Sequence, residues 1–278
     1  MSSKMKKTTT NKNFIIGFCM VLAVLVFALA GLVFAPFDPE EMDAASKLAA
    51  PSLKHLFGCD NFGRDILSRV QQGTRMTLLI GLTSTAIGAV IGTILGAVMG
   101  YFGGLLDEGL MRVIDVLFAI PSILLALIFI SLFGTGTFNV ILALGFAIVP
   151  SFAKMVRTEF MKQREMDYVK AAKLMGAGRG RILFVHILPN VMPTLLNCVL
   201  ISLNNAVLAE AGMSFLGIGV QPPQASLGRM LSEAQGYLQT APYYTVFPGL
   251  IMIIMLLGFG LMSEGGGWKN AFRRKSKD

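Results

Sequence analysis

Few side chains in this sequence could do chemistry, and those that stand out lie inside long apolar runs. Glu210 is one, with Asn204 and Asn205 about one and a half turns before it. Asp115, three residues after Arg112, is the other. A charge at mid-membrane depth costs about 2.5–3.5 kcal/mol on insertion scales, so ionisable residues in such runs are candidates for function. Two readings are open for Glu210 and the asparagines. They line a path that meets a peptide amine or a metal cation, or they make a buried hydrogen bond joining spans. Asp115 also has two: an intrahelical pair with Arg112, or a contact that gates between spans.

Catalytic constellations are missing from the sequence. GAGRGR at 176–181 has the glycines of a phosphate loop, but it follows a helix-like segment and lacks the Lys-Ser/Thr pair. No nucleophile stands beside a base, so any ATP hydrolysis serving this chain belongs to another polypeptide. His55 and His186 are isolated and read as surface or helix-end residues. Cys19, Cys59 and Cys198 are far apart with no CxxC, so neither a metal site nor a disulfide framework is expected. The 17 methionines follow no repeated spacing and read as apolar filler.

The frame that must position these residues follows from composition. Hydrophobic residues make up 54% of the 278-residue chain and charged residues 14%, well under the roughly one quarter of soluble chains. Apolar runs of about 20 residues recur, enough to cross a bilayer as helices. The expected fold class is all-α: a polytopic membrane protein of six transmembrane helices. The first, within the uncharged run Phe14 to Ala35, is too long for a signal-peptide core and is retained. The second lies within Met76 to Leu106, whose glycines let helix backbones approach closely. The others fall near 112–133, 138–156, 190–212 and 243–262. The chain then divides into residues 1–35, a polar loop at 36–75, a core at 76–262 with a loop at 157–189, and a basic tail at 263–278.

Six spans put both termini on one side. The termini, the turn between the second and third spans, and residues 153–190 carry 18 of the 24 Lys and Arg. The positive-inside rule therefore places both termini and the 157–189 loop in the cytoplasm. The net charge of +8 is this topological signal, which implies a lipid bilayer and no nucleic acid.

The 157–189 loop contains a helical pattern. Tyr168, Ala171, Ala172 and Met175 share one stripe, with Lys170 and Lys173 off it. Gly176 supplies the left-handed residue that ends a helix. A second helical stretch from about Arg179 to Ile187 leads to Leu188 and Pro189, where proline opens the fifth span. An amphipathic helix on the lipid surface would account for the charges. Docking to a cytoplasmic partner would also account for the small Ala pair, which lets a partner approach.

Ala-Ala-x-x-x-Gly with Leu-Pro downstream resembles the EAA loop of bacterial ATP-binding-cassette (ABC) importer permeases. More narrowly, YVKAAKLMGAGRGRILFVHILPN is similar to the loop of the dipeptide/oligopeptide/nickel permease family, type C subunit. HLFGCDNFGRDILSRVQQGTRMTLLIG at 55–81, MRVIDVLFAIPSILLAL at 111–127 and AEAGMSFLGIGVQPP at 209–223 resemble further stretches of that family. The resemblance implies a type I importer permease in the bacterial inner membrane, passing peptides or a related cargo such as nickel. It implies a second, non-identical permease, two ATPases that bind ATP and Mg, and an extracytoplasmic substrate-binding protein as partners. The chain itself would carry no cofactor. Tyr168, Lys170, Ala171, Ala172, Met175, Gly176, Leu188 and Pro189 would form the coupling helix and its exit. Lys170 stands where the family has Glu, reversing a charge at the edge of that helix. Gly63, Arg64, Asp65 and Arg69 carry the match in the outer loop, as a lid or landing surface or as an internal ion-pair network. Cys59, where the family commonly has Thr, is expected as a free thiol. The SEGGGWKN stretch departs from the family pattern. A membrane-embedded enzyme or an autonomous channel with an interfacial helix is the rival class: an enzyme should show clustered His, Asp or Ser inside the spans, which the sequence lacks, and a channel would not need the Ala-Ala loop.

Overall fold

The structure, a computed structural model, describes residues 2–265, with side chains from residue 12. In chain order the helices are α1 (Ser2–Val33), α2 (Ile66–Phe102), α3 (Gly104–Ala119), α4 (Ser122–Phe133) and α5 (Thr137–Arg164). They continue as α6 (Asp167–Leu174), α7 (Arg179–Arg181), α8 (Leu188–Phe215), α9 (Leu227–Ala234) and α10 (Tyr243–Gly265). A π-helical turn, Ile182–Ile187, fuses α7 to α8 in one rod, Arg179–Phe215. Among the described residues, five helices are long and apolar enough to cross a membrane, and the pair α3–α4 adds a sixth crossing if counted as one span. The chain is thus an all-α polytopic membrane protein. Most of the divergent tail, residues 266–278, lies outside the described residues.

Three expected spans differ in detail. The second starts at Ile66, ten residues before the uncharged run. Hydropathy marks where a helix enters lipid, whereas Asp65 marks where this one begins: its carboxylate accepts from the Ser68 N–H as an N-cap. With 37 residues the helix is about 55 Å long, so it extends beyond a hydrocarbon core of about 30 Å. The third span is not one straight helix, because α3 and α4 meet at 91°. Pro121 forces Ile120 into extended backbone, at φ −89° and ψ 126°. The fifth has Pro189 in the first turn of α8, as expected, but the helix runs into it from Arg179 as one rod. Proline has no N–H for the Val185 carbonyl and its ring crowds that oxygen. The turn is widened there, with the Leu188 N–H reaching back five residues to the Leu183 carbonyl.

The spine is α2 against α5. Gly88, Gly92, Gly96 and Gly100 recur every fourth residue along α2, one above another on the same face. A Cβ at each would meet the carbonyls of Gly145, Val149, Ala153 and Arg157 at 3.0, 2.9, 2.6 and 2.6 Å. Both series advance together, so the helices run parallel at backbone contact. Near the end of this seam Arg157 grips Asp107 of α3 with two nitrogens, one at 2.7 Å. An antiparallel seam of the same kind joins α1 to α10. A Cβ on Gly17 would lie 2.6 Å from the Gly258 carbonyl, and one on Gly265 2.5 Å from the Phe14 nitrogen.

Without water to drive association, helices in lipid join through such close packing. Gly96→Val forces side-chain atoms into the Ala153 carbonyl and should cost about 2 kcal/mol or more. A Cβ on Gly109 of α3 would touch nothing within 4 Å, and Gly109→Ala should be neutral or stabilising by up to about 1 kcal/mol. Thermal stability of the detergent-solubilised protein by fluorescence size-exclusion distinguishes the two.

Candidate functional site

The free end of the spine carries the loop that the sequence singles out. After Arg164 the chain turns through Glu165 and Met166 into α6, which ends in a Schellman motif. Gly176, at φ +81°, donates to the Lys173 carbonyl, and Ala177 to the Ala172 carbonyl, both at 3.0 Å. The expected short rod closed by Gly176 is present.

Its faces differ from the expected stripe. Val169 and Ala172 are buried against the chain's own core, in a cluster with Tyr101, Phe160, Ile182, Ile187 and Val191. Ala172 therefore seats α6 on its own subunit and is not on the outer face. The Ala pair divides: Ala171 is exposed, as are Lys170 and Tyr168, while Leu174 and Met175 are 89% and 80% exposed. Leu174, missed from the sequence, is the most exposed apolar residue of the helix, and the signal for it was its place opposite Ala172. Tyr168 donates to Gln163 Oε1 at 2.7 Å, and partial burial raises its phenol above the ordinary range. Leu188 is half-buried and Pro189 exposed, both within the rod.

The polar residues inside the spans do not form one stripe. Glu210 has no exposed surface. It accepts from the Thr77 hydroxyl at 2.8 Å and the Ser214 hydroxyl at 2.7 Å, and Ser226 adds a third hydrogen bond. Those hydroxyls accept in turn: Ser214 Oγ from the Val220 N–H at 3.0 Å, Thr77 Oγ1 from the Leu227 N–H at 3.4 Å. The carboxylate thus ties α2 to α8 and holds both ends of the loop leading to α9. Of its two readings, the buried hydrogen bond between spans matches this geometry. Asn205 is exposed and Asn204 half-buried, with the Asn204 Oδ1 unpartnered. Six and five residues from Glu210, at 100° each, they fall on other faces. Asp115 does not pair with Arg112. Its partner is Lys154 of α5, at 2.7 Å, so the contact joins two elements.

At the α2 start lies an ion-pair network. Asp60 meets Arg64 at 2.6 Å and Arg69 at 3.4 Å, and Glu233 of α9 meets Arg64, Arg69 and Arg229 at 3.2, 3.3 and 3.0 Å. The Tyr244 hydroxyl donates to Glu233 at 3.1 Å. Arg69 is 1% exposed, so these partners stand in for water. Of the two readings for Arg64, Asp65 and Arg69, the internal network is present, and Glu233, Arg229 and Tyr244 were missed because they are distant in sequence. Gly63, at φ +79°, leaves room for the Asp43 carbonyl, which a Cβ would meet at 1.8 Å. His55 is not a surface residue: it is buried, stacks on Phe37 at 4.4 Å and meets Asp65 at 3.0 Å. His186 is half-buried in the π-turn. Cys59 is a free, buried thiol.

Residues 92–265 match the family described as binding-protein-dependent transport system inner membrane component. The chain belongs to that family. It is a permease subunit of an ABC importer, the part that spans the membrane and not itself a catalyst. It is 37% identical over 261 residues to the dipeptide transport system permease protein DppC of Haemophilus influenzae, covering 92% of this chain and 88% of that one. It is also 37% identical over 246 residues to the glutathione transport system permease protein GsiD of Pectobacterium atrosepticum, covering 88% and 82%. In fold, the permease resembles an inward-facing MetNI methionine ABC transporter chain, with TM-score 0.58 at 23% identity over 74% of this chain and 95% of that one.

Three outcomes follow from the permease's buried groups. Glu210→Ala strips partners from buried hydroxyls and should lower stability by about 2–3 kcal/mol. Thr77→Val should cost about 1 kcal/mol, both read as thermal shifts of purified protein. Burial, with Asp65 and Asp60 nearby, pushes the Cys59 thiol up to about 11. The thiolate is the form that attacks maleimide, so Cys59 should resist labelling at pH 8 in the folded protein and react promptly once denaturant exposes it.

Proposed function

We propose that this permease forms, with a second and non-identical permease, the path by which short peptides enter a bacterial cell. Relatives named for dipeptide and glutathione transport support that cargo class over nickel. An extracytoplasmic binding protein delivers the cargo to the α2-start side, where the ion-pair network rigidifies the surface. The positive-inside count supports placing both termini and α6 in the cytoplasm. Two ATPase subunits bind ATP and Mg there and do the hydrolysis. Within the path, Asp115, with its side chain 53% exposed, and Asn205 are the accessible polar candidates. Glu210 acts as the fastening behind them.

The observation that carries this reading is the two-sided character of α6. One side, Val169 and Ala172, is packed into the permease core. The opposite side presents exposed Lys170, Ala171 and Leu174, with Met175 80% exposed at its end. A rod seated on one subunit and apolar on its free side suits the cleft of an ATPase. Only residues 175–178 separate it from the rod Arg179–Phe215, so displacement of α6 has a short path to the membrane. Lys170 at the crest calls for an acidic group on the facing ATPase.

The test is co-purification and uptake with the complete transporter. Leu174→Glu and Ala171→Glu put charge on the free face while leaving the seat intact. Both should reduce binding-protein-dependent peptide uptake at least about tenfold, a loss typical of a central interface residue. ATPase subunits should be lost from the pull-down or hydrolyse without transport. Uptake at wild-type level in both variants would remove α6 from the joint.

A further inference from the structure

Beside α6 lies an open cleft of about 440 Å³ where four elements meet. Tyr101 and Phe102 end α2, Arg164 ends α5, Lys173 flanks α6 and Arg179 opens the rod. Every charged residue lining it is a cation. Arg164 is engaged, donating to the Tyr101 carbonyl at 3.1 Å and meeting Glu165 at 3.2 Å. Lys173 and Arg179 have no ion-pair partner among the described residues. They stand instead over aromatic rings, Lys173 at 5.9 Å from Tyr101 and Arg179 at 6.0 Å from Phe102. Cations gathered at one cleft repel each other, and an anion between them reverses the sign.

We propose that this cleft binds the phosphate of an anionic phospholipid headgroup. A phosphate is small enough for the opening and offers acceptors to both free cations. The rest of the lining favours a lipid over a soluble anion. Phe102, 47% exposed, ends a membrane-spanning helix, the level at which aromatic rings settle in the interface, while Tyr101 packs inward behind it. Exposed apolar side chains follow directly in the chain, Leu105 after α2 and Phe184 after Ile182, as surface for acyl chains. The cleft is also set apart from the free flank of α6. Lys173 and Ala171 lie about 100° to either side of buried Ala172, so Lys173 and the Ala171 flank face apart. Basic pockets between helix ends are the usual setting for anionic headgroups.

The complete transporter in nanodiscs of equal phosphatidylglycerol and phosphatidylcholine, extracted and weighed by native mass spectrometry, tests this. Wild type should retain phosphatidylglycerol preferentially. Lys173→Gln with Arg179→Gln should lose that preference, by roughly fivefold per charge removed. Lys173→Arg with Arg179→Lys, which keeps the charges, should preserve it. Equal retention by wild type and the neutral variant overturns the proposal. Displacement of the retained lipid by millimolar inorganic phosphate would assign the cleft to a soluble anion and overturn the lipid. Unchanged lipid retention with loss of the ATPases from the neutral variant would make the cleft a protein interface, again overturning it.

Discussion

The backbone contact between α2 and α5 is the constraint on which the rest is hung. Four glycines at one spacing meet four carbonyls at the same spacing, leaving no side-chain layer between the helices. A seam this close fixes both the separation and the register of two parallel spans. Everything functional is attached to its ends. At one end α2 begins in the Asp60–Arg64–Arg69–Glu233 network. At the other, the end of α5 delivers α6, and the Arg157–Asp107 pair ties in α3. Loosening the seam would blur the geometry at both surfaces together.

Much of this was legible from residue types. Apolar runs located the spans because burial in lipid demands continuous hydrophobicity over about 20 residues. Gly176 marked the end of α6 because few other residues accept a positive φ. The glycines at 88, 92, 96 and 100 signalled close approach, though not toward which helix. What escaped had physical reasons as well. Ile66 to Arg75 carries charges, so it reads as a loop; its helix is held by a cap and by ion pairs to residues more than 160 positions away. The 91° bend at Ile120–Pro121 is invisible to hydropathy, which is high on both sides of it.

The short helix of the 157–189 loop lies where the sequence pattern puts it, but its rotation differs from the expected stripe. Ala171 and Ala172 are both small, and spacing alone cannot say which one a helix turns toward its own core. Val169 decides it, since an apolar β-branched residue three positions before Ala172 completes the buried side. The polar residues of α8 carry the same lesson. Glu210, Asn204 and Asn205 cluster in sequence, yet a helix distributes them over separate faces. Glu210 found hydroxyl partners on α2 and at the α9 cap, which no local pattern announces.

The widened turn at Ile182–Ile187 has a geometric effect on the rod that contains it. One additional residue within a turn advances every later side chain by about 100° relative to an uninterrupted helix. The portion before the turn and the portion after it are therefore out of phase, although the axis is shared. Ile182, Ile187, Val191 and Leu195 address the α6 cluster, while Leu203, Val207 and Glu210 address α2, α9 and α10. A single rod thereby serves two sets of neighbours, one near its start and one further along, and the widened turn brings Ile182 onto the face that Ile187, Val191 and Leu195 continue.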